Sequence, residues 1–134
     1  VRITADTNVL VRAAVLDDPT QSPLAVAALL EAEVVAVTIP SLCEFVWVLA
    51  RGYKRSPSQI ASAVRKLIES ETVVVDRPAV EAGLAVLERG GDFADGAIAY
   101  EGRSVGGEVF TSFDRDAIVL VNATGGETRL LSDR

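Results

Sequence analysis

The chain has 134 residues, 49% of them apolar and 24% charged, with a formal net charge of −6. Its length and apolar content fit one domain with a buried core, spanning 1–134, and exclude a disordered or fibrous chain. The absence of histidine and the presence of a single cysteine, Cys43, exclude Ser-His-Asp and Cys-His catalysis, histidine-based zinc sites and an intrachain disulfide.

The opening stretch Val1 to Ala5 alternates apolar and polar residues and predicts a short strand that ends at Asp6. Thr7 to Val15 has helical spacing and is broken by Asp17-Asp18-Pro19. Ser22-Pro23 reads as an N-cap followed by proline in the first turn, opening a helix to about Ala32. Val34 to Thr38 is apolar on both faces, as in a parallel strand covered by helices. Pro40 opens a helix with Leu42, Phe45, Val46 and Leu49 at core spacing, which stops near Gly52. Ser56-Pro57 repeats the cap-and-proline signal and starts a helix to about Ser70. Thr72 to Val75 is a third strand, and Arg77-Pro78 leads into a helix to Arg89, closed by Gly90-Gly91. Asp92 caps a helix from Phe93 to about Arg103. Glu108 to Ser112 is a fourth strand, Asp114 to Asn122 a short helix or turn, and Thr128 to Leu131 a last strand. Strands alternating with helices indicate an α/β sandwich with a mainly parallel sheet.

No apolar run approaches the roughly 18 residues needed to span a bilayer, and the start of the chain carries no signal-peptide pattern. The expectation is a cytoplasmic protein. An acidic chain does not attract nucleic acid over its whole surface, so phosphate binding here requires a local basic patch. Eleven of the thirteen basic residues are arginine, the side chain best shaped for phosphate. Arg51, Lys54 and Arg55 are candidates for such a patch, and a solvated helix end explains them equally well.

Ligands of open α/β sheets bind beyond the carboxyl ends of the strands. Asp6 and Asp114 follow predicted strands directly, Glu44 falls in the first turns after the second strand, and Asp92 and Asp95 share one side of a helix start. Carboxylates from four segments thus head for one rim. That is the ligand chemistry of hard divalent cations such as Mg²⁺ or Mn²⁺. Each acid also has a structural explanation. Asp6 and Asp92 can cap helices, Asp95 fits the third position of a capping box, and Asp114 and Asp116 can be turn residues. Glu44 sits among residues that look buried, where a carboxylate is costly without a partner. Cys43 reads as a small buried hydrophobe, and Trp47, with Phe45, as core or dimer contact rather than a base-stacking platform.

The segment Ile3-Thr4-Ala5-Asp6-Thr7-Asn8-Val9-Leu10 resembles the opening motif of PIN-domain nucleases. Glu44 within Ser41-Leu42-Cys43-Glu44-Phe45 is similar to that family's second acid. Gly91-Asp92-Phe93-Ala94-Asp95-Gly96-Ala97-Ile98-Ala99 resembles its third motif, and Phe110-Thr111-Ser112-Phe113-Asp114-Arg115-Asp116 its fourth, with Ser112 or Thr111 as the hydroxyl. The resemblance extends to VapC-type toxins of toxin–antitoxin pairs. It implies a PIN-like α/β/α sandwich with a central sheet of about five strands. It further implies a Mg²⁺- or Mn²⁺-dependent endoribonuclease that acts on RNA, is held by a cognate antitoxin, and is a homodimer. Asp6, Glu44, Asp95 and Asp114 are then the catalytic and metal-holding acids, with Asp92 as a further ligand. Thr7, Asn8, Ser112 and Asp116 support them, and Arg51, Lys54 and Arg55 meet the substrate. Gly96 departs from the bulkier helix former usual after the third acid, which is expected to loosen that helix start. The alternatives are a PIN-like RNA-processing nuclease outside such a pair, or a non-catalytic RNA- or protein-binding module. A haloacid-dehalogenase-type phosphatase needs an aspartate where Asn8 stands, and a receiver domain needs an acidic pair and a late lysine that are missing.

Overall fold

The computed structural model of the chain describes residues 1–132. It divides into two compact units, Val1–Asp76 and Arg77–Arg134.

The first unit runs β1 (Arg2–Thr4), α1 (Thr7–Val15), α2 (Gln21–Glu31), β2 (Val34–Ala36), α3 (Ile39–Arg51), α4 (Pro57–Glu69) and β3 (Val73–Val74). Its three strands are parallel in the order β1-β2-β3, with Ile3 opposite Val35 and Val35 opposite Val73. Val35 lies in the central strand and is fully buried, as expected of a strand covered on both faces. The second strand ends at Ala36 because Thr38 already serves α3: its hydroxyl accepts from the Ser41 N–H at 3.3 Å. The helix buries Ile39, Leu42, Phe45, Val46 and Leu49, spacing that keeps one stripe against the core. Ser56 caps α4 in a full capping box: the Gln59 N–H donates to its hydroxyl and the Ser56 N–H to Gln59 Oε1.

The expected Ser22 cap is corrected. Asp18 accepts from the N–H groups of both Thr20 (2.9 Å) and Gln21 (2.7 Å), so α2 starts earlier and Ser22 is buried inside its first turn. Those two bonds, Gln21's first, hold the Asp18 carboxyl below its ordinary pKa.

The second unit runs α5 (Arg77–Leu87), α6 (Phe93–Ser104), β4 (Val109–Ser112), α7 (Arg115–Ala123) and β5 (Glu127–Leu130). Strands β4 and β5 are parallel, Phe110 opposite Thr128 and Ser112 opposite Leu130. Val86, Ala99 and Val121 form a buried cluster against which Phe110 and Leu120 pack. All five strands are thus in parallel pairings, as expected of this α/β class. Among the described residues they form a three-stranded and a two-stranded ladder, where the sequence led to one sheet of about five.

Helices α5 and α6 meet backbone to backbone. A Cβ on Gly83 would lie 2.6 Å from the Phe93 ring, and one on Gly96 would lie 2.2 Å from the Ala82 carbonyl oxygen. Gly96 therefore does not loosen the start of α6, as its departure from the family pattern suggested; it lets that start press against α5. Gly90, at φ +89°, turns the chain out of α5 in a conformation that L side chains rarely adopt.

Gly96→Ala should lower the urea midpoint, with a loss of about 1–3 kcal/mol from overpacking. Gly102→Ala in the same helix, where an added Cβ meets nothing within 4 Å, should raise stability by about 0.4–1 kcal/mol. Equal effects at the two positions would contradict the close approach.

Candidate active site

In the first unit the parallel register sends the ends of β1 and β2 to the same rim. The Ala5 N–H still bonds the Ala36 carbonyl at 3.0 Å, after which Asp6 opens α1 and Thr38 opens α3. Asp6 has the extended backbone of an N-cap, φ −71° and ψ 157°, yet its side chain makes no capping bond. The plain explanation of Asp6 as a helix cap therefore does not hold, and its exposed carboxylate is available for other work. Its neighbour Thr7 is buried, and the Thr7 hydroxyl donates to Glu44 Oε2 at 3.2 Å. That bond ties the start of α1 to the second turn of α3. Glu44 itself is exposed, contrary to the expectation from its apolar neighbours: Leu42 and Phe45 face the core while Glu44 faces out. Asn8 is exposed and lines a groove of about 310 Å³ with Val9, Arg12 and Leu24.

Trp47 and Arg51 share the outward face of α3 with Glu44. Trp47 is 60% exposed, which removes the core from the two places expected for it, core or dimer contact. The Arg51 guanidinium lies over its ring, 5.9 Å from the centroid. Lys54 and Arg55 are exposed just beyond, Lys54 at a left-handed φ of 55°. Cys43 is half-buried, between the hydrophobe expected and an exposed thiol.

In the second unit three aspartates open two helices. Asp92 Oδ1 accepts from the Ala94 N–H at 3.1 Å and caps α6. Asp114 Oδ1 accepts from the N–H groups of Asp116 (2.9 Å) and Ala117 (3.3 Å) and caps α7. The cap expected at Asp92 is thus correct, whereas Asp114, expected as a turn residue, caps a helix; each bond goes to Oδ1 and leaves Oδ2 outside the cap. Ser112 Oγ accepts from the Asp114 N–H at 3.0 Å, while the Thr111 hydroxyl donates back to the Val109 carbonyl. Ser112 is therefore the hydroxyl that positions Asp114. Asp116 is exposed and contributes its backbone to the turn.

Asp95 lies half-buried in the first turn of α6. Burial, followed by the charges of Asp92 and Asp114, pushes its carboxyl up to about 6. A carboxylate resisting ionisation among other carboxylates is the electrostatic situation that a cation relieves. The acids of each unit offer oxygen donors, the kind that suits a hard divalent ion: Asp6 and Glu44 in the first unit, Asp92, Asp95 and Asp114 in the second. Among the described residues, no three acids or cysteines close into a group able to hold a metal.

The PIN domain family model matches residues 3–122. This chain belongs to the PIN domain family. Comparison with curated proteins gives no match. The PIN match takes in every acid considered above. PIN domains are in general metal-dependent nucleases, and the described residues of this chain, with seven helices and parallel strands, are of that α/β type. Among the described residues of this PIN domain, no helix is long and apolar enough to cross a membrane.

The sign of the Asp95 effect fixes its pH dependence. Its carboxyl titrates at about 6 when folded against an ordinary 3.8, so between those values the folded protein holds a proton that the unfolded chain has lost. Stability from this group falls as pH rises through that window. Asp95→Asn should melt at about the wild-type temperature near pH 4 and above it at pH 7.5. A pH-independent difference between the two melting curves would contradict the raised pKa.

Proposed function

We propose that this PIN domain is a Mg²⁺- or Mn²⁺-dependent endoribonuclease, acting in the cytoplasm as the toxin of a type II toxin–antitoxin pair. The proposal includes a single nuclease domain over 1–134, a homodimer, and a cognate antitoxin that restrains it. The observation that carries the nuclease reading is the family match across residues 3–122, with a carboxylate retained at Asp6, Glu44, Asp95 and Asp114. The match also crosses the division between the two compact units, which supports treating them as one domain. The four motifs' likeness to VapC-type toxins supports the toxin role.

In this reading Asp6, Glu44, Asp95 and Asp114, with Asp92, would hold the divalent metal. When bound, such an ion lowers the pKa of water to near neutrality and offsets charge on the phosphoryl oxygens. The residues of the chain supply the rest. The Thr7 hydroxyl holds one oxygen of Glu44 and leaves Oε1 to accept a proton or orient water. Ser112 fixes the backbone of Asp114, and Asp92 and Asp114 keep Oδ2 outside their caps. Asn8 and Asp116 complete the supporting polar set. Arg51, Lys54 and Arg55 meet the RNA backbone. In-line attack by water would leave a 5′-phosphate and a 3′-hydroxyl, with no part for the ribose 2′-hydroxyl.

The test is cleavage of single-stranded RNA and total transfer RNA by purified protein, in Mn²⁺ or Mg²⁺ against EDTA. Metal-dependent cutting is expected. It should fall by more than about 100-fold in Asp6→Asn and Asp95→Asn, since groups that merely support a metal ligand already cost 10–100-fold. Millimolar Mg²⁺ should also raise the melting temperature of the wild type and not of Asp6→Asn. Cutting that survives EDTA and both substitutions would overturn the site.

A further inference from the structure

The proposed ribonuclease is acidic overall, so something local must draw and hold its substrate. The stretch Phe45–Ile68, covering most of α3, the turn and α4, contains no aspartate or glutamate. It nevertheless carries Arg51, Lys54, Arg55, Arg65 and Lys66, five of the chain's thirteen basic residues and both of its lysines. This acid-free hairpin begins directly after Glu44. At its head stands Trp47, the chain's single tryptophan, 60% exposed where Phe45 and Val46 beside it are buried. A side chain of that size and apolarity is ordinarily covered.

Trp47 lies three residues beyond Glu44 and four before Arg51, so the three share one face of α3. The guanidinium of Arg51 lies over the indole, 5.9 Å from its centroid. A flat aromatic beside a planar cation is the pairing that receives an unpaired base and its phosphate: the base stacks and the cation takes the charge. Base-paired RNA keeps its base faces covered, so such a platform favours single strands.

We infer that Trp47, flanked by Arg51, is a base-stacking platform that seats a single-stranded RNA nucleotide next to the Glu44 end of the proposed site. The inference rests on the nuclease reading for its place in the reaction, though not for the binding itself. Trp47 is a positioning residue: it touches a base and not the reacting atoms. Two features favour RNA over a second copy of the chain as the occupant. The basic charge of the hairpin complements phosphate, and a second copy would bring the same five cations against these.

A single tryptophan makes the platform directly observable. Full-length protein in EDTA, which prevents cleavage, is titrated with a single-stranded oligoribonucleotide and with its duplex while indole emission is followed. Saturable quenching by the single strand and little by the duplex is expected. Trp47→Ala should weaken binding of a labelled single strand, read by anisotropy, by roughly 5- to 100-fold. Trp47→Phe, which keeps a ring, should recover most of it, and Arg51→Ala should weaken it and flatten its salt dependence. Unchanged melting curves confirm that the exposed substitutions leave the fold intact. In cleavage assays the loss in Trp47→Ala should fall mainly on KM.

Equal quenching by duplex and single strand would overturn the inference. So would emission that ignores RNA but shifts on dilution of the protein, which would place Trp47 in a contact between copies. Normal cleavage and KM in Trp47→Ala would sink the platform and leave the nuclease standing. Quenching by single strands with no cleavage under any metal would do the reverse.

Discussion

The last rung of the β1–β2 ladder, from the Ala5 N–H to the Ala36 carbonyl, decides where two segments leave the sheet. Because the strands are parallel and in register, both segments leave on the same side. One turns at once into α1 with Asp6 and Thr7 at its start, the other into α3 with Glu44 a turn and a half along. Parallel pairing thus converts a distance of 37 residues in sequence into a side-chain hydrogen bond between Thr7 and Glu44. A register slip of one residue would turn Ile3 outward and move Asp6 to the other face. Packing of Val35, buried between its two partner strands, is what forbids the slip.

The second unit reaches an acidic arrangement by different means. Its aspartates are helix openers, and the partial positive charge of free N–H groups is what lets several carboxylates stand there. Asp92 and Asp114 take those N–H groups as caps. Asp95, in the first turn, is penalised first by burial and then by the repulsion of both, without a comparable set of donors. The unevenness is informative: two acids are settled by local structure, and the third carries the electrostatic cost.

Much of this could be read from the chain before any coordinates. The caps at Ser56 and Asp92 were legible because capping is a contest among neighbouring residues. Where two candidates compete within a turn, the sequence misleads: Asp18 takes the Thr20 and Gln21 N–H groups, and the helix expected to open at Ser22 already includes it. The exposure of Glu44 was available in principle: two residues on from Leu42, a helix has turned about 200°, away from the core. The apolar character of its neighbours obscured that rotation, and a core position was offered for Trp47 for the same reason. The Thr7–Glu44 bond had no local signal, since it depends on how β1 and β2 pair. The role of Gly96 was illegible for a similar reason. A glycine looks permissive in sequence, and only the facing carbonyl of Ala82 shows it to be obligatory.

That contact bears on how the acidic end of α6 behaves in time. With Gly96 against the Ala82 carbonyl and Gly83 against the Phe93 ring, these helices have little room to slide or separate by side-chain adjustment. Their amides should exchange with solvent deuterium as one cooperative unit, including the first turn that holds Asp95. An acid mounted in this way has little conformational freedom to lose when a ligand arrives. The response of this segment to a cation is then a change of charge on a fixed frame, with the ordering entropy already spent in folding.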